Sequence, residues 1–259
     1  MKVVILCGGY GTRIRDVSSE LPKPLVPIGR FPILWHIMKH YAHHGHREFV
    51  LCLGYKGEAI KDFFLNYRAR TCDVTISLSA DPGLVFHNQS GEDDWRVTLV
   101  DTGLDTMTGG RVRRVRPFLA GESFFLTYGD GVSDIDLGAL LSHHRAEGKA
   151  MTVTGVHPPG RFGELQVDGA GLVSGFNEKP QVTEGLISGG FFVCEPRLFD
   201  YLPADDRVML EQEPMNRLVQ DRQLAVYRHE GFWQPMDTAR DYGFLNRLWQ
   251  DERAPWRLW

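Results

Sequence analysis

Val3-Val4-Ile5-Leu6-Cys7-Gly8-Gly9-Tyr10-Gly11-Thr12-Arg13 is the stretch that decides the fold. Val3 to Leu6 is an unbroken, largely β-branched apolar run that ends in glycines. Such a run reads as a strand buried on both faces, hence parallel to its neighbours, with a tight turn at its carboxyl end. Glycines lack a β-carbon, so backbone N–H groups in that turn can approach phosphate oxygens closely. Arg13, and Lys23 within Pro22-Lys23-Pro24, add fixed positive charge. A bare glycine cluster is often only a turn, but the flanking cations and the position after the first strand favour a phosphate loop. The spacing matches neither the Walker loop nor the dinucleotide fingerprint, so a third kind of phosphate loop is implied.

Working outward, Pro32 to His44 carries apolar residues at helical spacing between a proline and a glycine, and Phe49 to Leu53 reads as the next strand. Glu58 to Phe64 reads as a helix and Val74 to Leu78 as a strand. This alternation predicts an α/β fold with a Rossmann-like, doubly wound, mixed but mostly parallel sheet. Later strands are expected at Ser123 to Thr127, Met151 to Val156 and Gly190 to Cys194, with helices around Ile135 to Glu147 and Met215 to Gln220. Between Ala80 and Gly110 the pattern dissolves into small polar residues around one strand-like run, Arg96 to Val100. A segment this long and irregular is expected to be an arm or functional loop inserted into one domain spanning 1–259.

Composition narrows the function. The 259 residues are 42% hydrophobic, with a formal charge of −4, so there is no basic excess for an extended nucleic acid. The apolar opening is too short for a signal peptide or a membrane span. Cys7, Cys52, Cys72 and Cys194 lie far apart, as isolated thiols rather than a disulfide frame or zinc site, which suits the cytoplasm. The ten histidines show no metal-ligand spacing; His43, His44 and His46 cluster at a predicted helix end.

Three further constellations can carry chemistry. Asp130 follows an apolar strand in Tyr128-Gly129-Asp130-Gly131, and Asp237 lies in Trp233-Gln234-Pro235-Met236-Asp237-Thr238. Two carboxylates can hold one Mg²⁺, a hard cation that prefers oxygen ligands, although each alone also reads as a turn former or a helix cap. Glu178-Lys179-Pro180, flanked by Gly160-Arg161-Phe162-Gly163 and Ser188-Gly189-Gly190, offers a carboxylate for sugar hydroxyls and a cation for a phosphate, or simply solvated loop charge. Thr106-Met107-Thr108-Gly109-Gly110-Arg111, followed by Arg113, Arg114 and Arg116, either closes over a triphosphate or forms a solvated helix face.

Together LCGGYGTR, PKP, TLVDTG, MTGGR, TYGDG, PPGRFG, EKP and GFWQPMDT resemble the sugar nucleotidyltransferase family, and within it the cytidylyl branch, over essentially the whole chain. The resemblance implies that Leu6, Gly8, Gly9, Gly11, Thr12, Arg13, Lys23, Thr106, Arg111 and Gly129 hold the nucleotide. It implies that Gly163, Glu178, Lys179, Ser188 and Gly190 hold the sugar phosphate, and that Asp130 and Asp237 hold Mg²⁺. Arg13, Lys23 and Asp130 would then act in catalysis. The implied substrates are CTP and a sugar 1-phosphate, joined with release of pyrophosphate, in a homo-oligomer. The family commonly has Asn where Ser188 stands and Ala where Cys7 stands; the shorter Ser188 leaves the sugar open. Another base, or a non-catalytic sensor of nucleotide sugars, are the competing readings.

Overall fold

The computed structural model describes residues 1–11, 20–78, 83–88, 91–158, 164–167, 172–177 and 185–259. Its centre is an eight-stranded mixed sheet. Lys2–Leu6 lies in the middle, parallel to Glu48–Leu53 on one side and to Phe124–Tyr128 on the other; Arg96–Asp101 extends the first side in parallel. On the second side Phe192–Cys194 runs antiparallel to Phe124–Tyr128 and to Met151–Val156, which also pairs with Ile187–Ser188 and, in parallel, with Leu224–His229.

The apolar runs are unbroken because both faces of the sheet are covered. Val3, Ile5, Phe49, Leu51 and Phe125 belong to one core, whereas Val4, Leu6, Val50, Cys52, Phe124 and Leu126 belong to the other. The helix Ile33–His43 supplies Ile33, Leu34, Ile37, Met38 and Tyr41 to the first core, and Thr108–Arg114 supplies Val112 to the second. All four cysteines are buried and free, and Cys7, Cys52 and Cys194 are small apolar fillers of these cores.

One expectation needs correction. Val74–Ser77 is not a strand of the main sheet; it pairs antiparallel with Gly83–Phe86 in a separate hairpin. The pairing is explained by its exposed polar and apolar alternation, which cannot sit in a layer buried on both faces. Within the stretch from 80 to 110, the strand-like run expected at Arg96 to Val100 is a strand, and a helix begins before Gly110. Arg96–Asp101 pairs in register with Glu48–Leu53 as the edge of the main sheet, and Thr108 already starts a helix. The edge position explains its weak sequence signal, since its residues are only partly buried.

The chain order around Lys2–Leu6 fixes where a ligand can go. Successive strands pass first to one side of it and then to the other, so the crevice at its carboxyl end is a topological switch point. There the turns after Leu6, Leu53, Asp101 and Tyr128 meet.

His36 ties the chain's end to this frame. Its ring is fully buried, Nε2 lies 3.0 Å from the Ile28 carbonyl, and Trp256 Nε1 donates to Nδ1 at 3.4 Å. A neutral ring with the proton on Nε2 satisfies both contacts, and a second proton would face the indole N–H. Burial pushes the His36 pKa down to about 4, against the raising effect of the Ile28 hydrogen bond. The unfolded chain therefore binds this proton near pH 6.5 and the folded chain does not, so stability is complete above that pH and declines on acidification. Thermal unfolding from pH 7 to pH 4.5 should show a falling Tm, with a loss on the order of 2 kcal/mol from His36. His36→Gln is expected to be less stable at pH 7 and to show a flatter decline; an equally steep decline would assign the acid sensitivity elsewhere.

Candidate functional site

At that crevice lies a cavity of about 410 Å³, lined among others by Gly8, Gly9, Gly11, Lys23, Thr106 and Asp130. Leu6, Arg111 and Gly129 also line it, so the described residues expected to hold a nucleotide meet in one place. Thr12 and Arg13 lie outside the described residues, as do Gly163, Glu178 and Lys179.

The glycine turn is shaped from beneath by Arg111, whose side chain is buried. Its Nη1 donates to Leu53 O at 2.9 Å, Thr102 Oγ1 at 2.8 Å and Gly103 O at 2.8 Å. Its Nη2 donates to Gly8 O and Leu104 O, each at 3.1 Å. A β-carbon on Gly8 would run into the Arg111 guanidinium and displace it from these acceptors, which favours glycine at this position. Burial pulls the Arg111 pKa below its ordinary value. Arg113 donates to Leu202 O, Arg114 pairs with Asp206, and Arg116 stacks on Phe199, so these three brace the fold away from the cavity.

The acidic residues converge as well. Asp130 follows Phe124–Tyr128, and the short ladder of Gly131–Ser133 with Trp233–Pro235 brings Asp237 alongside, with Met236 N donating to Asp130 O at 2.8 Å. The cap of the Ala239–Gln250 helix is Thr238, in a reciprocal box with Asp241, so Asp237 is not consumed as a cap. Lys23 Nζ lies 2.6 Å from Asp130 Oδ2 and 2.5 Å from Asp237 Oδ1. Burial lowers the Lys23 pKa, but the charge of Asp130 and the hydrogen bonds to both carboxylates outweigh it and leave it raised. Two carboxylate oxygens around one cationic nitrogen form an all-oxygen donor pair of the type a hard divalent ion takes. No cluster of three or more His, Cys, Asp or Glu side chains suited to a metal occurs among the described residues.

Ser188 and Gly190 do not line the cavity; they flank it through Tyr128. The ladder between Met151–Val156 and its antiparallel neighbour is interrupted between Ser188 and Phe192, and there a β-carbon on Gly190 would meet the Tyr128 ring at 2.9 Å. Trp233 Nε1 donates to Gly189 O at 2.8 Å, tying this bend to the strand that leads to Asp237.

The chain matches the nucleotidyl transferase family model over residues 2–252. It is 47% identical to a glucose-1-phosphate cytidylyltransferase of Salmonella typhi and 44% identical to a probable glucose-1-phosphate cytidylyltransferase of Bacillus subtilis, each over 100% of both chains. The chain belongs to the nucleotidyl transferase family. The crystal structure of HddC from Yersinia pseudotuberculosis has the same fold, with a TM-score of 0.69 at 20% identity, over 96% of this chain and 99% of that one.

Four contacts in this nucleotidyl transferase carried no clear sequence signal. Tyr10 Oη donates to Asp105 Oδ1 at 2.6 Å, joining two cavity-lining loops. Glu211 accepts from Tyr128 at 2.6 Å and from Thr108 at 2.5 Å, joining two more of the lining residues. Trp233 reaches Gly189. An aromatic residue inside a glycine turn was visible for Tyr10, but its partner is 95 positions away.

Arg111→Met leaves buried carbonyls without donors and should cost about 3 kcal/mol or more. The measurement is the urea unfolding midpoint; a midpoint equal to that of the parent would show that the guanidinium is not a structural strut.

Proposed function

We propose that this protein transfers the cytidylyl group of CTP to α-D-glucose 1-phosphate, making CDP-glucose and pyrophosphate. The observation that carries the reading is the convergence of Lys23, Asp130 and Asp237 beside a glycine-lined cavity, in a chain 47% identical over its full length to a relative named for that reaction.

An oxygen of the sugar phosphate attacks the α-phosphorus, and a new P–O bond forms there. The bond from the α-phosphorus to the α,β-bridging oxygen breaks, and that oxygen leaves with the electron pair as part of pyrophosphate. The nucleophile is already an anion, so the protein's task is to hold two polyanions together and meet the charge on the transferred group. In this reading the backbone amides of the glycine turn, with Thr12, Arg13 and Lys23, take the triphosphate. Gly163, Glu178 and Lys179 take the sugar phosphate together with the bend at Ser188 and Gly190. Asp130 and Asp237 suit Mg²⁺, which when bound neutralises phosphate charge.

Pyrophosphate release with Mg²⁺ and glucose 1-phosphate is expected to be strongest with CTP, ahead of UTP and dTTP. Asp130→Asn and Lys23→Ala should each lower kcat on the order of 100-fold. Release only with another sugar 1-phosphate would move the specificity to the surroundings of Ser188, and nucleotide binding without release would replace the enzyme with a sensor.

The reading extends to a homo-oligomer in the cytoplasm. No helix among the described residues is long and apolar enough to cross a membrane. The Val74–Phe86 hairpin exposes Ile76, Leu84 and Val85, apolar side chains that a second subunit would cover. Ile76→Asp combined with Leu84→Asp should lower the mass found by light scattering; an unchanged mass would remove the hairpin from the interface.

A further inference from the structure

The Lys23 ammonium occupies the point at which two carboxylates meet, within 2.6 Å of each. A divalent cation on the same pair would need oxygens at about 2.0–2.1 Å and would bring its charge into the space the ammonium fills. Two cations cannot occupy that space together. The stem of Lys23 is fixed at its root: Pro22 and Pro24 flank it, and a β-carbon on Gly11 would lie 3.0 Å from its Cβ. Beyond the root the side chain is a flexible four-carbon chain ending in a compact charge. It already lines the cavity alongside Gly8, Gly9, Gly11 and Asp130, so there is open space for the ammonium to enter.

We propose that Lys23 is the resident counter-ion of the metal-free protein, and that a divalent cation binds only by displacing its ammonium from Asp130 and Asp237 into the glycine-lined cavity. The inference rests on the assignment of those two carboxylates as cation ligands. It makes cation entry and presentation of Lys23 to the cavity one equilibrium, with coupling that is reciprocal. An anion in the cavity draws the ammonium off the carboxylates and supplies further oxygen ligands to the cation, so cation and triphosphate assist each other's binding. Without ligands the ammonium offsets one of the two negative charges and so lessens the repulsion between the carboxylates.

The test uses Mn²⁺ alone, without substrates, on the full chain. Binding is followed by the paramagnetic resonance of free Mn²⁺ in the parent protein, in Lys23→Met and in Asp130→Asn. Lys23→Met should bind Mn²⁺ about tenfold more tightly than the parent, and Asp130→Asn should bind it more weakly. Unchanged or weaker binding in Lys23→Met, with binding still lost in Asp130→Asn, would overturn the counter-ion role and leave the carboxylate assignment standing. Unchanged binding in both variants would remove the assignment itself. A second measurement needs no variant: acylation of the Lys23 amine, read by peptide mass, should rise when Mn²⁺ saturates the parent protein. Labelling that stays level or falls at saturation would overturn the proposal.

Discussion

A buried guanidinium with five oxygen acceptors holds the carboxyl ends of three parallel strands in one place. Arg111 reaches Gly8, Leu53, Thr102, Gly103 and Leu104, which follow or end the strands Lys2–Leu6, Glu48–Leu53 and Arg96–Asp101. Parallel strands leave their terminal carbonyls pointing into the crevice at the sheet's end, and buried carbonyls need donors. One planar side chain answers for several of them at once. The glycine turn can then face outward with its amides, because its carbonyl at Gly8 is already engaged from below.

Charge is divided accordingly. Arg111 is satisfied by carbonyl and hydroxyl oxygens and stiffens the floor, whereas Lys23 is held by two carboxylates and can exchange them for another partner. A rigid cation with fixed acceptors preserves shape, and a flexible cation with exchangeable acceptors supplies a response. Both kinds of contact are needed where polyanions must enter and leave a site in a protein whose net charge is −4.

The parallel strands and the glycine turn were legible because their causes are local: apolar runs ending in glycine, and helical spacing between Pro32 and Gly45. The Arg96–Asp101 strand was harder to assign, since an edge strand is only half-buried and carries less apolar signal. Val74–Ser77 was misplaced because β-propensity says that a segment is extended, not which partner it takes. Lys23, Asp130 and Asp237 were each visible as residue types with a plausible role, yet their meeting spans up to 214 positions and depends on strand order. Arg111 was legible as part of a motif, but not as a strut, because four of its five acceptors are backbone carbonyls.

The route by which Asp237 arrives explains how the two sides of the site are joined. Trp233–Pro235 pairs with Gly131–Ser133, which continues directly from Asp130, so the two carboxylates sit side by side at the same end of one short ladder. The same strand sends the Trp233 indole to Gly189, and Gly190 abuts Tyr128, whose hydroxyl is held by Glu211 beside Thr108. The bend at Ser188 to Phe191 is therefore in contact both with the strand that leads to Asp237 and with the cavity wall at Tyr128. Packed, hydrogen-bonded elements of this kind shift between discrete arrangements more readily than they deform. The bend is thus joined to the carboxylate pair through the Trp233 indole and the ladder of Trp233–Pro235 with Gly131–Ser133.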